Sequence, residues 1–78
     1  MRRIFFINKD NCLNFFKEVK ECGKFSNWKV LGKVINTNRS MIDNYRKRNI
    51  CIPEDRFNIL LNYFDSERKD YFLKIIEI

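Results

Sequence analysis

The stretch WKVLGKVINTNRSMIDNYRKRNICIP, Trp28 to Pro53, decides how this chain folds. Trp28, Leu31, Val34 and Ile35 recur at three- and four-residue spacing, the pattern of one buried helix face. Met41, Ile42 and Tyr45 repeat that pattern a few residues later. Asn36, Thr37 and Asn38 separate the two sets with short polar side chains, and Asn36 tolerates a positive φ. The spacing predicts a helix from about Asn27 to Ile35, capped by Ser26 or Asn27, then a tight turn. A second helix follows from about Arg39 to Lys47, with Arg39, Ser40, Asp43, Asn44 and Lys47 facing outward.

Charge concentrates on the same stretch. From Lys24 to Pro53 there are seven bases (Lys24, Lys29, Lys33, Arg39, Arg46, Lys47 and Arg48) against the single acid Asp43, a net charge of +6. The remaining 48 residues carry nine bases and nine acids. The chain therefore reads as a neutral scaffold with a basic insert. A localised cationic face on a two-helix unit suits docking on nucleic-acid phosphates.

Working outward, Cys12, Phe15, Phe16, Val19 and Cys22 form an apolar stripe that predicts a helix from about Asp10 to Cys22. Gly23 is placed to end that helix in a left-handed conformation. Arg48 to Ile52 reads as a loop. Pro53 suits the first position of a further helix, with Glu54 and Asp55 at its positive end. Its core positions are Phe57, Leu60, Leu61 and Phe64. After a turn and cap at Asp65 and Ser66, a last helix is expected to carry Tyr71, Phe72, Ile75 and Ile76 inward. Ile4 to Ile7 is a short β-favouring run. As a strand it needs a partner: Ile75–Ile78, the same segment of a second subunit, or nothing regular. The expected fold is all-α, a single domain over residues 1–78 with five helices and an N-terminal extended arm.

Seventy-eight residues with eight Phe, three Tyr and one Trp can bury one small core. Two Gly and one Pro are too few for an all-β sandwich with frequent turns. Cys12 and Cys22, about 15 Å apart on one helix at about 1.5 Å per residue, are too distant to bridge. With no His and no Cys-x-x-Cys pair, no zinc site or other metal site is expected, and the cysteines read as buried reduced thiols in a cytosolic protein. No run approaches the ~18 apolar residues of a membrane span. The absence of histidine, of a Gly-rich phosphate loop and of a carboxylate pair on one face argues against an enzyme, and no cofactor is implied.

Trp28 to Pro53 resembles the lambda-repressor-like helix-turn-helix family, the Cro and phage-repressor type. Leu31 and Gly32 match that family's buried Leu and the small residue after it, where two helices cross closely. Ile35 and Asn36 match the apolar and turn residues. Ile42 and Tyr45 match the buried positions of the recognition helix, and Pro53 opens the next helix. The family often has Glu and Gly where this chain has Arg46 and Arg48. The resemblance implies a recognition helix in the major groove, with Asn38, Arg39, Ser40, Asp43, Asn44 and Lys47 as base readers. It also implies phosphate contacts from Ser26, Asn27, Lys29, Lys33, Arg46, Arg48 and Asn49.

The leading expectation is a sequence-specific double-stranded DNA-binding domain of a transcriptional regulator, cytoplasmic and associated with the nucleoid. A homodimer through the Ile4–Ile7 arm or the last helix is expected with it, and no membrane partner. Two alternatives stand beside it. One is a DNA-docking module of a larger protein such as a nuclease, recombinase or antitoxin. The other is a protein–protein adaptor, motivated by the apolar arm. Asp43 has two readings: acceptor from a cytosine amino group, or restraint on Arg39 or Lys47 one turn away. Trp28 and Tyr45 read as packing residues ahead of nucleic-acid contacts.

Overall fold

A computed structural model describes residues 2–77. Along them lie β1 (Arg3–Phe6), α1 (Lys9–Cys22), α2 (Trp28–Val34), α3 (Arg39–Arg48), β2 (Ile52–Pro53), α4 (Glu54–Leu61), α5 (Ser66–Leu73) and β3 (Ile76–Glu77). The helix starts follow from local chemistry. Asn8, Asn27, Asn38 and Asp65 sit in extended backbone, and each side-chain oxygen accepts from the backbone N–H three residues on. These acceptors satisfy donors that the first helical turn leaves free.

The apolar stripes converge on Phe15 of α1. Its ring lies 5.0–5.6 Å, centroid to centroid, from Phe6, Phe16, Phe57, Phe64 and Phe72. Those rings come from β1, α1, α4, the turn after α4 and α5. Offset and edge-on aromatic pairs at such distances add to the stabilisation from burial alone. Leu31, Ile35, Ile42 and Tyr45 continue the core beneath α2 and α3.

The fold is mostly helical but not all-α. Of the partners open to Ile4–Ile7, the C-terminal segment is the one found, and β1 gains a second, unforeseen partner in β2. It pairs antiparallel with β2 (Arg3 opposite Pro53, Ile4 opposite Ile52) and with β3 (Phe5 opposite Glu77, Phe6 opposite Ile76). The sheet order is β2-β1-β3. Alternation then sends Ile4 and Phe6 into the core and leaves Arg3, Phe5 and Ile7 outside. Two of the arm's four apolar residues are thus consumed internally. The last helix also stops earlier than the pattern predicted. Ile75 and Ile76 leave α5, and Ile76 joins β3. Tyr71 points out, with the Arg68 guanidinium 4.5 Å from its ring centre.

Two further differences are local. Gly23 is not left-handed: its φ is −84°, and the left-handed residue is Lys24, at φ 54°. Phe25 N–H reaches back to the Lys20 carbonyl at 3.0 Å and closes the α1 terminus. A Cβ at Gly23 would run into the Phe25 ring, so any other residue there must displace that ring. Nor are all the thiols buried. Cys12 is buried and donates to the Tyr45 carbonyl at 2.9 Å, while Cys22 is exposed and Cys51 half-buried. Burial pushes the Cys12 thiol up to about 12 from an ordinary 9.0.

Candidate nucleic-acid interface

The turn between α2 and α3 sets the relation of the two basic helices. Asn36 is left-handed at φ 55°, as its position in the sequence predicts. Thr37 N–H then bonds the Gly32 carbonyl at 2.9 Å, which closes the end of α2. Gly32 lies where the chain doubles back. A Cβ there would stand 3.2 Å from the Thr37 carbonyl and 3.3 Å from Ile42 Cγ1. The small residue lets α2 and α3 approach closely.

This packing leaves the outer side of the pair open. Ser26, Asn27, Lys29 and Lys33 are exposed along α2, as are Asn38, Arg39, Ser40, Lys47 and Arg48 along α3. Asn44 is half-buried. The Arg39 side chain is 70% exposed. Two clefts run between the helices. One, of about 280 Å³, is lined by Asn27, Trp28, Lys29 and Arg39. The other, of about 350 Å³, lies against Lys29, Lys33, Thr37, Asn38, Arg39 and Ser40. Lys29 and Arg39 border both, so each cleft on the α2 side of α3 has two cations at its rim.

Four residues expected at the surface carry internal duties. Asn38 and Asn27 spend their side-chain oxygens as caps, which leaves the Asn38 amide N–H groups as its free contacts. Arg46 was expected to reach phosphate, but only 16% of its side chain is exposed. Its guanidinium lies 4.2 Å from the Trp28 ring centre and donates to Asp43 Oδ1 at 3.0 Å. The aromatic face and the carboxylate hold it against the protein. Asn49 is also turned inward. It takes the left-handed position after α3, at φ 50°, and its amide donates to the Phe6 carbonyl at 3.1 Å. It thereby ties the end of α3 to β1.

Asp43 pairs with Arg46 and with Arg39, one of the two partners its second reading named. Its other oxygen stands 3.9 Å from Arg39 Nε one turn back. Trp28, Arg46, Asp43 and Arg39 therefore form a chain from the start of α2 to the start of α3. The one acid of the basic stretch is neutralised inside it, and the outward face keeps its positive sign. The spacing of Asp43 one turn from Arg39 and three residues from Arg46 was the only sequence signal for this chain.

The opposite flank of α3 holds a feature the sequence did not disclose. A cleft of about 300 Å³ is lined by Arg3, Met41, Tyr45, Pro53, Asp55 and Arg56. Arg3 and Arg56 lie outside the basic stretch, in β1 and α4, and no local pattern links them. Comparison of the chain with protein-family models, curated proteins and solved structures finds no match. Among the described residues, no helix is long and apolar enough to cross a membrane.

Proposed function

We propose that this protein binds double-stranded DNA as a helix-turn-helix domain of a transcriptional regulator, with α3 entering the major groove. One observation carries the reading: the basic stretch folds so that Arg39, Ser40, Asn44 and Lys47 share an outward side of α3, flanked by the exposed Lys29 and Lys33 of α2. A helix about 10–12 Å across fits a groove about 12 Å wide. In that pose Arg39 forks onto a guanine edge and Asn44 meets an adenine edge. The first turn of α2 and Arg48 meet phosphates. Asp43 and Arg46 hold Arg39 in place and read nothing themselves.

Titration with short duplexes at rising salt tests this. Each phosphate neutralised lowers the slope of log affinity against log salt by about 0.9, so a slope of several is expected. No duplex affinity at ~50 mM salt would reject the reading. Within it, Arg39→Ala relaxes preference at one base pair, whereas Lys29→Ala weakens every sequence alike. A second copy completes the proposal, because one domain of this size makes few base contacts. Phe5, 44% exposed, and Ile7, 57% exposed, share the outer side of β1 and are the surface we assign to that pairing. A sedimentation experiment that finds only monomer at micromolar concentration removes the dimer and leaves the DNA reading intact.

A further inference from the structure

The geometry points to a second phosphate-contacting site, built by Arg3 and Arg56 with the Tyr45 hydroxyl, on the side of α3 away from α2. It rests on the DNA reading above and extends it from one strand of the duplex to both.

The argument starts from the turn of α3, 100° per residue. Arg39 sits at the α2 edge of the outward side with Asp43 beside it; Ser40 and Lys47 are exposed and Asn44 half-buried; Met41 and Tyr45 lie on the far flank. A helix that fills the major groove has one sugar-phosphate strand along each flank. Lys29 and Lys33 serve the first. The far flank carries no basic residue of α2, and the basic stretch supplies only Arg48 near it. Yet a cleft opens there beside Met41 and Tyr45, and it is lined by two guanidinium groups from elsewhere in the chain.

The fold brings those groups together. Arg3 is on the outer side of β1, opposite Pro53 of β2, and Arg56 is in the first turn of α4. Arg56 Nη1 donates to the Tyr45 hydroxyl at 3.1 Å. That bond fixes the guanidinium at the cleft and leaves its other N–H groups for an anion. Tyr45 itself is buried, so its hydroxyl serves to position Arg56. Asp55 lines the same cleft, and one of its oxygens accepts from the Arg56 backbone N–H at 2.9 Å. Glu54, the neighbour of Asp55, is paired with Arg2 at 3.8 Å. Two guanidinium groups against Asp55 leave the cleft positive. A phosphodiester, accepting from two planar guanidinium forks, matches this donor set.

The test uses the full chain and a duplex recovered by selection from random sequences. Arg3→Gln is expected to weaken binding about eightfold at 0.1 M salt, the counterion release of one phosphate, and to reduce the salt slope by about 0.9. Arg56→Gln does the same, and Arg56→Lys restores the slope. Neither Gln variant changes the base preference of the selected site. Single methylphosphonate substitutions locate the contacts. Those that cost affinity in wild type but not in Arg3→Gln fall on one strand, and those silenced by Lys29→Gln fall on the other. Wild-type affinity and slope in Arg3→Gln overturn the site, as does silencing on the same strand as Lys29→Gln. If Arg56→Gln loses as much stability to urea as it loses in duplex binding free energy, Arg56 acts only through folding and leaves the site. A wild-type protein that selects and binds no duplex instead overturns the DNA reading itself.

Discussion

The body around Phe15 and the α2–α3 pair are held together by different means. The body depends on contacts between residues distant in sequence: rings from four secondary-structure elements and one turn meet at Phe15, and three strand segments close over them. The α2–α3 pair depends more on short-range devices. Asn27 and Asn38 cap its helices, Asn36 turns the chain, and Gly32 permits the crossing. Its burial is confined to one side, where Leu31, Ile35, Ile42 and Tyr45 meet the body. Cys12 adds a thiol bond to the Tyr45 carbonyl, and Phe16 stacks on the Tyr45 ring at 6.2 Å. Because one side suffices to anchor the pair, its other side is free of packing duties and can carry charge.

The contrast breaks most sharply at the hub. Phe15→Ala is expected to cost about 3–5 kcal/mol, much of the stability of a domain this small. Urea denaturation measures it, and a cost below about 1 kcal/mol would show that Phe15 is no hub. Gly32→Val is next, at about 1–3 kcal/mol, because Thr37 and Ile42 stand close to the added atoms. It should also weaken duplex binding, since α2 and α3 must separate to make room. Asn38→Ala and Asn27→Ala each remove a cap at a cost of about 1 kcal/mol. The smallest effects belong to the outer face. Lys29→Ala and Arg39→Ala should shift stability by no more than about 0.5 kcal/mol while reducing duplex affinity. A large stability loss from either would erase the division between body and face.

Alkaline titration sharpens the join between the regions. Burial raises the Cys12 thiol from 9.0 in the unfolded chain to about 12 when folded. The neutral thiol therefore contributes its full stability below pH 9, and that contribution is lost as pH rises toward 12. The stability difference between wild type and Cys12→Ala should narrow over that window. A constant difference would mean that Cys12 is not held neutral by the fold.

The sequence by itself determined where the helices begin, though not where α5 ends. The expected starts at Asp10, Asn27 and Arg39 and the turn at Asp65 agree with the observed elements within a residue or so, and Asn36 is left-handed as its position implies. Caps, turns and apolar periodicity act over three or four residues, so a linear reading captures them. The basic stretch was equally legible as a count of charges. Only the tertiary structure decided which charges remain free. Asp43, Arg46 and Asn49 look like surface residues in the chain, and each is occupied by a partner that the fold delivers. The sheet was legible in part: Ile75–Ile78 was one of the partners open to the Ile4–Ile7 strand, but nothing pointed to β2. β2 and β3 are two residues each, too short to show alternation, and their pairing with β1 spans most of the chain. That long-range pairing also carries Arg3 to the side of α3 where Arg56 and Tyr45 wait. Contacts between distant residues leave no periodic trace in sequence; they exist once the core has drawn the elements together.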